Sequence, residues 1–399
     1  MKILMLGWEL PPYHSGGLGE VSYEICRSLS ESVASIDFIV PYDADHGIDF
    51  MNIHSAMGLS PAQLRDGAGV YASSKSVQYG KFVSTFDGLL QQTEDFASSV
   101  GARLHRHDFD VIHVHDWLTL RAGILAKQLS GSPLFVHMHA TQYDQAGGKY
   151  GNPAIHEIEE FGLSMADRIF AVSEKTKQTI VRHYGIDPDT IEVVHNRIDP
   201  ARYHFPDESN PYQAIQVLKD NGYKVVSYVG RMTIQKGLWT LLQGFAKVVE
   251  REPKSILLLA GTGEQLRELQ ELAANLGIAQ NVMFTNSFVS GNKQRWAFRL
   301  GDLFVMPSVS EPFGITALEA PLLGSPVLIS KQSGVAEVLQ NALKIDHWDI
   351  DQIANQIHGA LRSQGLRQTL LENSRQEIME MTWGKATTQI HSSYQKAVA

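Results

Sequence analysis

Gly301-Asp302-Leu303-Phe304-Val305-Met306-Pro307-Ser308, continued after Val309 and Ser310 by Glu311-Pro312-Phe313-Gly314-Ile315-Thr316-Ala317-Leu318-Glu319-Ala320, is the stretch on which the fold turns. Leu303–Met306 is an unbroken apolar run, the mark of a strand buried on both faces. Pro312 fixes the chain's approach to a turn, and Gly314 lets backbone N–H groups come close to a ligand. Thr316 to Ala320 then reads as the opening of a helix. A helix start behind a glycine turn attracts phosphate through its free N–H groups and its dipole. Glu311 in the loop and Glu319 in the helix would face a polyol beside that phosphate, the chemistry of a nucleotide-linked sugar. The same segment also suits an ordinary strand–loop–helix joint with surface glutamates.

Working outward, strand-like runs alternate with helix-period stretches, the pattern of a parallel sheet covered by helices on both faces. The first half offers Lys2–Leu6, Ile36–Val40, Val111–Val114, Leu134–His137, Ile169–Val172 and Ile191–His195. Ser173 caps a helix running from Glu174 to Tyr184, and Gly185 ends it. A second series starts at Lys224–Gly230 and continues with Ser255–Ala260, Val282–Thr285, Leu303–Met306, Val327–Ile329 and Leu343–Ile345. Two series predict an α/β protein of two Rossmann-like, doubly wound domains. Tyr203–Tyr212, with Pro206 and Pro211, reads as the linker. Asp43–Phe86 reads as irregular chain with no motif.

The bulk numbers agree with that division. A chain of 399 residues exceeds the size at which one core keeps growing. Hydrophobic residues make up 43% and charged residues 19%, ordinary for a globular protein. A formal net charge of −9 argues against nucleic-acid binding and against anionic membranes. Arg103-Leu104-His105-Arg106-His107 is the one basic cluster and reads as a solvated helix end. Cys26 stands alone, which excludes an intrachain disulfide and a multi-cysteine metal site. The first residues lack a signal-peptide pattern, and no apolar run reaches transmembrane length. A cytoplasmic protein is the expectation.

Further motifs lie at strand ends. Gly16-Gly17-Leu18-Gly19 follows the first strand after a loop too long for a dinucleotide fingerprint, and precedes a helix. In Gly230-Arg231-Met232-Thr233-Ile234-Gln235-Lys236-Gly237, a guanidinium and an ammonium five residues apart can converge on a diphosphate. His137 and His139 end one strand; His113, His115 and Asp116 end another. A metal is conceivable for four histidines and an aspartate, but no pair has helical i, i+4 spacing.

Taken together, Glu311-Pro312-Phe313-Gly314 with Glu319-Ala320, Gly230-Arg231-x4-Lys236-Gly237, Gly16-Gly17, and His113-x-His115-Asp116-Trp117 resemble the motifs of retaining glycosyltransferases of the glycogen synthase and family 4 group. The resemblance spans nearly the whole chain. It implies a GT-B architecture whose two domains face each other across a cleft. The first would be an acceptor-side domain, 1–205, joined by a C-terminal helix, 382–399, that crosses back; the second, 213–381, would bind the nucleotide sugar.

The resemblance implies transfer of a hexosyl unit, glucosyl in type, from UDP-glucose or ADP-glucose to a glycan or other hydroxyl acceptor. An α-glucan is one such acceptor; a cell-surface or lipid-linked glycan is the alternative. Arg231 and Lys236 would meet the leaving diphosphate, Glu311 the donor sugar and Glu319 the ribose. His139 would lie beside the reacting sugar, with His137 expected to point the other way. Gly16, Gly17, Asn196, Phe313, Gly314, Ile315 and Thr316 would bind the donor, and Asp116 would contact acceptor or sugar. No metal or other cofactor is implied.

Departures from the family pattern are His14, where a lysine is usual, Arg197 for a glycine in Asn-Gly-Ile-Asp, and Ser333 for a glycine. Pro321 is expected to kink the helix that carries Glu319. Gly261-Thr262-Gly263 fits either a ribose-side or phosphate-side turn or a plain one. A glycoside hydrolase using Glu311 and Glu319 would leave Arg231 and Lys236 unexplained. A pyridoxal-dependent phosphorylase would need a chain about twice as long. A catalytically silent relative is opposed by the intact Arg231, Lys236, Glu311 and Glu319.

Overall fold

The computed structural model describes residues 1–13, 16–61, 86–104, 109–205 and 209–399. His14, residues 105–107 of the basic cluster, Pro206 in the linker and all of 62–85 lie outside the described residues. The chain forms two compact units. The first comprises Met1–Gln145, Lys149–Arg197 and Thr382–Ala399; the second comprises Ala146–Gly148 and Ile198–Met381. No described helix is long and apolar enough to cross a membrane.

The first unit is built on a seven-stranded sheet of order β3-β2-β1-β4-β5-β6-β7. Its strands are β1 (Lys2–Leu6), β2 (Ser35–Tyr42), β3 (Asn52–Leu59), β4 (Val111–His115), β5 (Leu134–Met138), β6 (Arg168–Ala171) and β7 (Ile191–Val193). Every pairing is parallel. All residues of β4 and β5 are buried, which is why these runs lack a polar alternation. On one face Leu4, Ile112, Val114, Leu134 and Val136 pack with Phe96 and Val100 of helix Phe86–Leu104 and with Leu120 and Ile124 of helix Trp117–Ser130. The other face carries Phe38, His113, His115, Phe135, His137 and Phe170, ring against ring.

The helix Trp383–Val398 closes that second face. Tyr394 sets its ring edge-on to Phe135, with centroids 4.7 Å apart. Ser393 Oγ donates to the Glu192 carboxylate at 2.8 Å, and Ser28 and Thr387 share a 2.7 Å hydroxyl hydrogen bond. As expected, Ser173 Oγ accepts from the Thr176 N–H at the start of helix Glu174–Tyr184, and Gly185 ends it with φ +66°.

β3 falls where irregular chain was expected. Its residues, Asn-Ile-His-Ser-Ala-Met-Gly-Leu, include few strand formers, and only one is fully buried. An edge strand of this kind shows no apolar run to read.

The second unit has a six-stranded parallel sheet of order β10-β9-β8-β11-β12-β13. The strands are β8 (Lys224–Val229), β9 (Ser255–Ala260), β10 (Val282–Phe284), β11 (Leu303–Met306), β12 (Val327–Ser330) and β13 (Leu343–Ile345). Strand order reverses between β8 and β11 here, and between β1 and β4 in the first unit. At such a switch point the loops leaving the C-terminal strand ends part and open a crevice for ligand. Both units are Rossmann-like and doubly wound.

Pro321 does not kink a long helix. The helix Thr316–Leu322 is only seven residues long and stops one residue after Pro321, so the missing donor falls where the helix is ending. Arg375 Nε donates to the Pro321 carbonyl at 2.7 Å, and the Gly324 N–H reaches the same oxygen at 3.1 Å.

Candidate functional site

In the second unit the loops after β8 and β11 are stitched together. The turn Ile234–Lys236 closes on Gly237, whose φ is +67° and whose missing side chain matters: a Cβ there would lie 2.2 Å from the Pro307 carbonyl oxygen. The Val309 N–H donates to the Gln235 carbonyl at 2.8 Å. This contact brings Lys236 Nζ to 2.6 Å from Glu311 Oε2, an ion pair that is mostly shielded from solvent. Ser308 Oγ donates to the same oxygen at 2.9 Å. The Glu311 backbone is gripped from the other side, its N–H on the Gln332 carbonyl and its carbonyl taking the Gly334 N–H, both at 3.0 Å.

Arg231 leaves the end of β8 with its carbonyl held by the Tyr228 hydroxyl at 2.6 Å. Burial pushes that hydroxyl's pKa upward, and the Glu311 charge adds to it, so Tyr228 stays a neutral donor. The Met232 N–H bonds the Thr262 carbonyl at 2.8 Å, so the Gly261-Thr262-Gly263 turn acts as a buttress for the Arg231 loop.

Gly314 has φ +105°, and a Cβ would come within 2.8 Å of Met306 Sδ, so the turn lies flat on the end of β11. Thr316 Oγ1 contacts the same sulfur at 3.6 Å. Phe313 is 2% exposed and its ring belongs to the core, leaving only its backbone for a ligand. Ile315 is the residue before the first helical turn. Glu319 is oriented by two groups that sequence reasoning missed: Tyr203 Oη donates to one oxygen at 3.0 Å and Gln294 Nε2 to the other at 3.2 Å. Tyr203, expected in a linker, is thereby part of the second unit. Ser333, in place of a glycine, turns its hydroxyl back onto the Ser330 carbonyl at 2.6 Å.

In the first unit Gly16 precedes, and Gly17 begins, the helix Gly17–Ser30. The Gly19 N–H points at Glu9 Oε1 from 3.4 Å, so a buried carboxylate stands at the helix start where a ligand phosphate was expected. Asp116 follows β4 in a strained backbone state, φ +55°. Its Oδ1 accepts from the His139 N–H at 2.6 Å and the Ala140 N–H at 3.3 Å, while Oδ2 is buried without a partner. The run of amides continues. The Thr141 N–H donates to Asp144 Oδ2 at 3.3 Å, and the Gln142 N–H bonds both Glu159 oxygens at 2.9 and 3.0 Å.

Four consecutive backbone N–H groups, 139 to 142, thus end on three buried carboxylates. Lys175 Nζ pairs with Asp144 at 2.9 Å, and the Tyr184 hydroxyl bonds Glu159. Burial drives the Asp116 pKa up to about 7 against its two backbone bonds, and Glu159 up to about 8 against the Tyr184 and Gln142 bonds. None of Asp144, Glu159, Lys175 or Glu9 was marked by a motif; only the fold brings them together.

His139 is 9% exposed, with Nε2 2.9 Å from His115 Nδ1 and its ring stacked on His137 at 4.5 Å and 9°. The expectation that His137 faces the other way is wrong. Side chains two apart on a strand share a face, so His113, His115, His137 and His139 form one cluster on paired strands. Burial first, and for His113, His115 and His139 mutual repulsion second, holds all four well below ordinary histidine pKa values, with His137 at about 3. Ligand atoms of His113, His115 and His137 lie within 4.8 Å of one another. The His113 and His137 rings are 8° from parallel with centroids 5.5 Å apart, and both are fully buried. Asn196, beyond β7, is buried, and its Oδ1 has no partner.

Two family descriptions match the chain: Glycosyltransferase Family 4 over residues 15–202 and Glycosyl transferases group 1 over residues 212–377. An uncharacterized glycosyltransferase of Methanocaldococcus jannaschii is 28% identical over 100% of this chain and 99% of its own length. A glycogen synthase of Mycobacterium tuberculosis is 25% identical over 98% of this chain and 94% of its own. Among solved structures, an Anabaena protein in complex with UDP and glucose superposes with a TM-score of 0.69. The match covers 99% of this chain and 100% of that one at 18% identity, a likeness of fold.

Proposed function

Because the chain belongs to the GT-B glycosyltransferases of the glycogen synthase and family 4 group, we propose that it moves a glucosyl unit, with retention, from a nucleotide diphosphate sugar to an acceptor hydroxyl. UDP-glucose and ADP-glucose are the donors proposed. The observation that carries this reading is the meeting of Lys236 with Glu311 beside Arg231, where the sheet order reverses. Cations at that place answer the charge that grows on a departing diphosphate, and they do so without reorganising.

In the proposed reaction the bond from the sugar's anomeric carbon to the phosphate oxygen breaks. A bond to the acceptor oxygen forms on the same face, and the acceptor proton passes to the departing phosphate. Arg231 and Lys236 hold the diphosphate, so no metal ion is required. Glu311 orients the sugar, Glu319 the ribose, and the Gly314 turn brings backbone close to the phosphates. The His139 loop, in the first unit, is pinned amide by amide by Asp116, Asp144 and Glu159. Glu311 and Glu319 each have separate partners, Lys236 for one and Tyr203 with Gln294 for the other, which suits two binding tasks better than an acid and nucleophile pair. A cytoplasmic location belongs to the same proposal and is supported by the single, buried cysteine.

The test is release of nucleoside diphosphate from a panel of nucleotide sugars, with and without EDTA, followed by the anomeric configuration of the product. Release that survives chelation, with retained configuration, is expected. No release from any donor, or rescue only by a divalent ion, would overturn the proposal.

A further inference from the structure

Arg197 follows β7 directly after Asn196, at the place of a glycine in the motif it resembles. Its guanidinium is half buried, and its one hydrogen bond among the described residues runs from Nη1 to the Asn196 carbonyl at 3.1 Å. No carboxylate within ion-pair distance answers it among the described residues. The acids near it in sequence are engaged elsewhere: Glu192 takes the Ser393 hydroxyl, and Asp199 caps the turn Pro200–Arg202 through the Ala201 N–H. Arginine remains charged in proteins, so withdrawing it from water without a counter-ion is a standing cost.

Two features give that cost a purpose. The bond to Asn196 fixes one arm of the guanidinium and leaves Nε and Nη2 as a fork suited to two oxygens of one anion. Beside it, Asn196 Oδ1 is buried with its acceptor capacity unused. A fork for an anion next to a lone acceptor for a hydroxyl is the complement of a phosphorylated polyol.

We propose that Arg197 and Asn196 form the acceptor subsite, and that the acceptor is a phosphorylated sugar or cyclitol held by its phosphate on Arg197. This rests on the transferase reading above. The donor's own diphosphate has its cations, Arg231 and Lys236, in the second unit. Arg197 is assigned here to a different phosphate, and titration with UDP tells the two apart.

The experiment is calorimetric binding of matched pairs: hexose 1-phosphates and 6-phosphates against the free hexoses, and inositol phosphates against inositol. Wild type, Arg197→Gly and Arg197→Lys are compared, with UDP titrated in each. Wild type should bind at least one phosphorylated member about tenfold or more tightly than its free counterpart. Arg197→Gly should erase that preference, Arg197→Lys should restore part of it, and UDP affinity should change by less than about twofold. Absence of any phosphate preference in wild type, or its persistence in Arg197→Gly, overturns the proposal. So does a loss confined to UDP, which would give Arg197 to the donor. Failure of the transferase reading is separately visible, as no UDP release from UDP-glucose when a bound phosphorylated acceptor is present.

Discussion

Lys236 and Glu311, seventy-five positions apart in sequence, meet with Nζ 2.6 Å from Oε2. The cation proposed for the diphosphate and the carboxylate proposed for the sugar therefore hold each other, and the two loops that carry them are fixed as a pair.

Arg231→Ala and Lys236→Ala should each lower turnover by roughly 100- to 1000-fold, as for loss of a preformed donor at developing oxyanion charge. The double variant Lys236→Ala/Glu311→Gln should cost less than the sum of its parts, since each partner alone is left without its counter-charge. Steady-state rates on wild type, Arg231→Ala, Lys236→Ala, Glu311→Gln and the double variant decide this. Near-normal turnover in both cation variants would remove the diphosphate site.

The loop 139–142 should depend on Glu159 through position and not through stability alone. Glu159→Ala strands the Gln142 N–H and the Tyr184 hydroxyl, and kcat should fall by about 10- to 100-fold with little change in donor KM. Glu159→Gln, which retains an accepting oxygen, should recover most of kcat. Equal damage in both variants, or a loss seen only in thermal stability, would count against a positioning role.

Stability should peak between about pH 6 and 7. The cluster histidines titrate below their ordinary 6.5 in the folded chain, His137 at about 3. Between those values the unfolded chain binds more protons, so stability falls with acidification. Asp116, raised to about 7, and Glu159, raised to about 8, have the opposite sign. From about pH 4 up to those values the folded chain binds the extra protons, and stability falls as pH rises. Thermal unfolding between pH 5 and 8.5 should show both limbs, and Glu159→Gln should flatten the alkaline one. A Tm that holds steady from pH 6.5 to 5 would contradict the buried, neutral histidines.

Gly237→Val should destabilise the second unit by about 2–5 kcal/mol, combining a left-handed backbone cost with a clash against a carbonyl that cannot rotate away. Denaturant unfolding followed by fluorescence measures it. A change below about 0.5 kcal/mol would mean that the Pro307 loop yields freely, and the Lys236–Glu311 geometry would then be soft.

The sheets were legible because strands buried on both faces leave unbroken apolar runs. Ser255–Ala260 and Leu303–Met306 match residue for residue, as do Lys2–Leu6 and the edge strand Leu343–Ile345, where a lysine interrupts the apolar residues. β3 was not legible, since a half-exposed edge needs no such run. Motif spacing marked Arg231, Lys236, Glu311 and Glu319, which lie at fixed offsets on two strand-end loops and the short helix that follows one of them. It was silent on Asp144, Glu159 and Lys175: a glutamate in helix Pro153–Ser164 reads as solvated face until Gln142 and Tyr184 are seen against it. The histidine pair was misread through periodicity, where a spacing of two keeps a face.

The helix Trp383–Val398 completes the first unit although the whole of Ile198–Met381 is synthesised before it. A ribosome therefore delivers β1 to β7 long before the ring of Tyr394 that covers His113 and Phe135. Until then the histidine face is an open wall, and the second unit, contiguous from Ile198 apart from a three-residue contribution, is free to finish first. The first unit, begun first, can thus be completed only after the residues of the second have been made. The nascent first unit is the intermediate on which a chaperone would have most to do.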